Sequence, residues 1–185
     1  MSNRSLFTIL HISDFHFSSR HKREQVIVTD ALVRDLEKIC IGHRRPDLIF
    51  FTGDMVQAGG IDLHDEAYDL MLDRVSKITG CSDERIFIAP GNHDVSSKAV
   101  EVFSKETCEW RKIIGSADEI SKLNTLYQER AFDQALAEKF VHYNSLEQYL
   151  SVGDGRKRVL QTPFATVDHI EALNVDAVVL NTAAF

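Results

Sequence analysis

Residues 86–94 read IFIAPGNHD: a run of four apolar residues, Ile86 to Ala89, stops at Pro90 and delivers Gly91, Asn92, His93 and Asp94 in succession. An amide, an imidazole and a carboxylate on a glycine-hinged turn are groups that bind metals and move protons. Working outward, two earlier apolar runs end the same way. Residues 7–13, FTILHIS, lead into Asp14, Phe15 and His16, and residues 48–53, LIFFTG, lead into Asp54. Three strand-like runs therefore each end in a side chain that can ligate a metal.

The segments between these runs have a different period. Val28, Leu32, Leu36 and Ile39 recur at three- and four-residue spacing and predict an amphipathic helix ending near Gly42. Ala67, Leu70, Met71, Val75 and Ile78 predict a second one ending before Gly80. Pro46–Asp47 and Gly59–Gly60 punctuate the intervening loops. The order β-α-β-α-β over Leu6–Ile12, Leu48–Phe51 and Arg85–Ala89 predicts an α/β domain with largely parallel strands. From about Ala99 to Leu150 strand signals vanish and helical stripes take over, including Ile120, Leu123 and Tyr127, then Leu136, Phe140 and Tyr143, with Ser116 and Glu119 spaced as a capping box. Residues 99–150 are expected to be a helical insertion or cap built around Trp110. Gly153 to Arg158 is expected to be a turn, and Ala177–Asn181 a last buried strand.

Bulk properties exclude several classes. The chain has 185 residues, 44% of them hydrophobic and 26% charged, which suits a single globular domain spanning 1–185. A net charge of -7 argues against a general nucleic-acid coat, because sequence-independent polyanion binding needs a basic face. It leaves phosphate substrates open, since bound cations would invert the field in a carboxylate-rich pocket. Cys40, Cys81 and Cys108 are widely spaced, with no CxxC pair, so neither a disulfide framework nor a thiolate zinc site is indicated. No segment reads as a signal peptide or a membrane span. A cytoplasmic protein with no membrane partner is expected.

The chemistry is in the three turns. Residues two apart in an extended segment project to one side, so Asp14 and His16 can bind one cation while Phe15 points to the core. Mixed oxygen and imidazole donors suit manganese, iron or zinc. Asp54 follows a glycine at a strand end, and a carboxylate can bridge two cations roughly 3.5–4 Å apart, as two-metal hydrolases require. Asn92 offers a neutral oxygen to a metal, His93 can protonate a leaving-group oxygen, and Asp94 is expected to orient that imidazole. A GNHD tetrapeptide occurs by chance in about one protein in a thousand of this size, so this block is the most specific of the three. Arg20, His21, Lys22 and Arg23 read as a solvated loop, His64–Glu66 as the exposed start of a helix, and His11 as packing against strand neighbours.

In this order, DFH, GDMV and GNHD resemble the first three signature blocks of the calcineurin-like metallophosphoesterases, over about the first half of the chain. The resemblance implies an αββα sandwich with a dinuclear metal centre. Asp14 and His16 would hold one metal, Asp54 would bridge, Asn92 would bind the second, and His93 with Asp94 would serve the leaving group. Two divalent ions are expected, manganese first, with iron or zinc as alternatives. Met55, Val56 and Gln57 stand where protein phosphatases of the family carry an Asp-Arg-Gly run, so the chain is more similar to the phosphodiesterase and nuclease branches. The implied reaction is hydrolysis of a phosphoester by a metal-bound hydroxide, with a diester as the first choice and a nucleotide or nucleic acid among the expected substrates. The family completes its site with later histidine blocks. Only His142 and His169 follow Asp94, and both read as structural or surface residues. The expectation is an incomplete sandwich whose C-terminal ligands lie in the remainder of a longer chain, with little activity in this segment alone. The alternative is a non-catalytic metallophosphoesterase-fold sensor or partner-binding module.

Overall fold

Three short strands, β1 (Ile9–Ile12), β2 (Leu48–Thr52) and β3 (Ile86–Ala89), pair in parallel in the order β1-β2-β3 in the computed structural model, which describes residues 7–42, 45–58, 63–102, 104–113 and 115–183. The expected strand start at Leu6, the Gly59–Gly60 loop and the final Ala184–Phe185 lie outside the described residues.

The apolar runs of β2 and β3 are continuous because both faces of this sheet are covered. Ile49, Phe51, Ile86 and Ile88 face a helical layer, where they meet Phe17, Leu36, Met71, Leu72 and Val75. Leu48, Phe50, Phe87 and Ala89 face the other way, onto Ile170, Ala177 and Val179 of a second sheet. Phe50 and Phe87 stack in that inter-sheet layer at 5.3 Å. The second sheet is an antiparallel meander of β4 (Arg156–Gln161), β5 (Ala165–Ile170) and β6 (Val175–Leu180). The described layers are thus helix, parallel sheet and antiparallel sheet, the mixed α/β architecture expected.

Helix α1 (Lys22–Gly42) follows β1. After β2, α2 (Leu63–Ala67), a π turn (Tyr68–Leu72) and α3 (Asp73–Thr79) make one rod, which ends where Gly80 adopts a left-handed conformation at φ 71°. Helices α4 (Ser97–Val102), α5 (Ser104–Ile113), α6 (Glu119–Gln128), α7 (Asp133–Lys139) and α8 (Val141–Leu150) fill the interval between β3 and β4. Trp110 packs edge-on against Phe132, and Phe132 against Phe164 beside β5. The Tyr143 hydroxyl donates to the Ile88 carbonyl at 2.7 Å, fastening α8 to β3. No helix among the described residues is long and apolar enough to cross a membrane.

Several sequence expectations are corrected. Arg156–Arg158 do not form a turn; they open β4, where Arg156 is buried. Its guanidinium lies 4.4 Å over the Phe87 ring and donates to Glu147 of α8 and Asp168 of β5, at 2.9 and 2.8 Å. Arg158 contacts the same two carboxylates. His169 lies within β5 and bonds Asp176. Lys22 and Arg23 belong to α1, and Lys22 pairs with Glu66 at 2.9 Å. The capping box does not form, since α6 begins at Glu119 itself and its carboxylate accepts from the Gly115 amide. Ile120, Tyr127, Val28 and Ile39, counted in the helical stripes, are exposed.

Candidate metal centre

Parallel strands in sequential order bring all their carboxyl ends to one edge, where α/β sheets place their ligands. The three turns meet there and are joined through their backbones. The amide of Asp14 donates to the Gly53 carbonyl at 3.1 Å, that of His16 to the Asp54 carbonyl at 2.8 Å, and that of Gly53 to the Ala89 carbonyl at 2.9 Å. Phe17 and Val56 extend the join as an isolated parallel bridge.

Local conformation explains how short turns aim their side chains inward. Asp14, His16 and Asp54 sit at φ values of 57°, 48° and 56°, in the left-handed region, beside Gly53 at 87°. Non-glycine residues seldom adopt it, and such strain concentrates at functional sites. The expected geometry is therefore corrected: Asp14 and His16 converge through two left-handed residues and not as neighbours on an extended strand. Phe15 does pack toward the core. Gly91 is required by a close approach, because a Cβ there would lie 2.1 Å from Asp54 Oδ1 and 2.4 Å from the Asp54 amide nitrogen.

The side chains brought together are His16, Asp54 and His93, which each offer a ligand atom within 4.8 Å of the others. His16 Nε2 stands 3.8 Å from both Asp14 Oδ1 and Asp54 Oδ2. That is too long for hydrogen bonds, yet within the spread of donors sharing one cation at bond lengths of about 2.0–2.2 Å. The buried Nδ1 of His16 has no hydrogen-bond partner. The His16 and His93 rings meet edge to face at 4.9 Å. His93 Nδ1 lies 2.6 Å from the Gln57 carbonyl oxygen. A carbonyl can only accept, so Nδ1 carries the proton and Nε2 is the atom left for a metal or a substrate. Two imidazoles and a carboxylate, with a second carboxylate adjacent, are a donor set that fits a divalent transition metal.

Asn92 lies exposed on the same turn, between Gly91 and His93. Asp94 does not orient His93. It is buried, and its carboxylate accepts from the amides of Asp54 (2.9 Å), Gly91 (2.8 Å) and Val56 (3.1 Å), so it ties the second turn to the third. The Asp54 Oδ1 in turn accepts from the His93 amide at 3.0 Å.

Two contributors have no sequence signal of their own. Gln25, in the first turns of α1, donates to the His16 carbonyl at 2.7 Å and accepts from the Ser18 amide at 3.1 Å, clamping the first turn. His64 is buried and not exposed, with Nε2 3.4 Å from Asp94 Oδ1. His11, by contrast, is solvent-facing and bonds the Thr52 hydroxyl. A cavity of about 630 Å³ lies apart from this cluster, between α7–α8 and the second sheet, and reaches the third turn only at Pro90.

The sequence model of the calcineurin-like phosphoesterases matches residues 7–179. The chain belongs to that family. The match takes in β1 through nearly all of β6, and so includes the second sheet as well as the three turns. A relative in Bacillus subtilis (strain 168), "Uncharacterized metallophosphoesterase-like protein YydB", is 31% identical over 87 residues. That alignment covers 47% of this chain and 17% of the relative. Calcineurin-like phosphoesterases are hydrolases that act on phosphoesters and bind divalent metals, and the His16–Asp54–His93 triad is a metal-binding candidate of the kind the family implies.

Proposed function

We propose that this calcineurin-like phosphoesterase is a metal-dependent phosphodiesterase working at the edge where the three turns meet. The observation that carries the reading is the convergence of His16, Asp54 and His93 on one point, held by three non-glycine residues in left-handed conformations. Asp14 and His16 would hold one cation, Asp54 would lie between two, and Asn92 would serve the second. Manganese is the first choice, with iron or zinc as alternatives. When bound, such cations neutralise charge on phosphoryl oxygens and lower the pKa of water.

The chain's own residues supply positioning and a proton. The Gln57 carbonyl fixes the His93 ring with Nε2 directed away from the backbone, where it either ligates a cation or protonates the departing oxygen. The acid role requires His93 to be the imidazolium, since Nδ1 already carries a proton. Met55–Val56–Gln57 in place of an Asp-Arg-Gly run supports a diester over a phosphoprotein substrate, and a nucleotide or nucleic acid is the proposed class. Free Cys40, Cys81 and Cys108 suit a cytoplasmic setting.

The test is manganese-supported hydrolysis of bis-p-nitrophenyl phosphate by the full-length wild-type protein and by its Asp54→Asn and His93→Ala variants, with bound manganese quantified by elemental analysis. Turnover that requires manganese and falls at least 100-fold in both variants is expected. Metal binding without turnover on mono- or diesters would instead favour a non-catalytic module.

A further inference from the structure

His64 is the one buried residue for which both ring nitrogens lack a hydrogen-bond partner among the described residues. It enters from the second position of α2, a segment whose sequence reads as a solvated helix start. The His142 ring of α8 stacks on it at 6.3 Å and 24°. The Asp94 carboxylate faces it, with Oδ1 3.4 Å from Nε2, close enough for the ring to turn into an N–H···O bond although the two are not aligned for one here.

Asp94 is no ordinary partner. Its two oxygens collect the amides of Asp54, Val56 and Gly91, which belong to two different turns of the candidate centre. Burying an imidazole with nothing else to bond is costly, and an apolar side chain would fill the space without that cost. A donor at this place can support the carboxylate and, through it, fix the spacing between Asp54 and the Gly91–His93 turn. Groups standing behind metal ligands tune affinity in this way.

We propose that His64 is a positioning residue: its Nε2, set 3.4 Å from Asp94 Oδ1 with no other partner, turns to donate to the carboxylate that spaces the second and third turns and so holds it in place. The consequence for metal affinity rests on the metal-centre reading above; the consequence for the turns does not. The experiment therefore measures both in His64→Met, which keeps volume and removes the donor, and in His64→Gln, which restores one. Amide hydrogen exchange at Asp54, Val56 and Gly91 is expected to accelerate at least tenfold in the Met variant while the Ile88 amide is unchanged. Manganese affinity by calorimetry is expected to fall about tenfold or more. The Gln variant is expected to return both within about threefold of wild type. Wild-type exchange in His64→Met, or equal impairment of the two variants, overturns the proposal, the second result because it reports packing and not donation. If His64→Met does not fold, the Gln variant decides alone: protection at the three amides supports the proposal and its loss defeats it. Failure of manganese to bind even the wild-type protein counts against the metal centre, while exchange still decides His64.

Discussion

At Gly91 a single methyl group is enough to damage the centre. The Cβ would overlap the Asp54 carboxylate and amide, so the third turn must retreat from the second or Asp54 must give up its bond to the His93 amide. Gly91→Ala is expected to cost about 2 kcal/mol or more, as strain and broken bonds at a crowded backbone do, with loss of metal binding even where the protein stays folded. Urea denaturation and manganese titration check the two parts separately. Gln25 allows a gentler perturbation. Gln25→Ala frees the His16 carbonyl and the Ser18 amide, a loss of about 1–2 kcal/mol by the usual worth of such bonds, and is expected to weaken manganese binding without abolishing it.

Legibility at this scale divides by range. Asp14, His16, Asp54 and His93 were readable because each follows an apolar run in sequence. Gln25 and His64 were not, since they act on the turns from helices and only tertiary packing brings them there. The role expected for Asp94 was displaced for a related reason: adjacency in sequence suggested His93 as its partner, whereas three backbone amides claim the carboxylate.

Among the elements, the contrast lies between the two sheets. β2 and β3 could be found in the sequence because burial on both faces demands unbroken apolar residues. β4 and β5 could not, because part of what holds them together is charge. Arg156, Glu147 and Asp168, which are buried, and the half-buried Arg158 form a set of two cations and two anions, and their residue types read as a solvated turn until the partners are known. Removing one member leaves an uncompensated buried charge. Asp168→Ala is expected to lose about 3–5 kcal/mol in chemical denaturation, whereas Lys157→Ala, at an exposed position of the neighbouring β4, is expected to change stability by no more than about 0.5 kcal/mol.

For the whole molecule, a ligand that binds only the folded state stabilises it by mass action. Manganese at about 100 times its dissociation constant adds about 2.7 kcal/mol, so a thermal scan is expected to show Tm rising by about 5–10 °C for a chain of this size, an effect that Asp54→Asn removes. The cysteines report global opening independently. Burial pushes the Cys81 thiol up to about 11, while Cys108 is exposed. Iodoacetamide near pH 8, followed by mass spectrometry, is expected to label Cys108 in the folded protein and Cys81 only as it unfolds. A folded pKa raised above the ordinary thiol value means that thiolate formation favours the unfolded chain. The stability linked to Cys81 is therefore complete below the ordinary thiol range and is lost as pH climbs toward 11.

The backbone bonds that join the three turns carry a thermodynamic signature for ion uptake. Asp14, His16 and Gly53 donate across the turns, and Asp94 gathers three further amides, all with side chains and main chain alone. A cation arriving at such a preassembled edge has little apolar area to bury and, among the described residues, no segment to order. Its binding is therefore expected to carry a heat-capacity change near zero, unlike the large negative value of coupled folding, and calorimetry at several temperatures would read it directly.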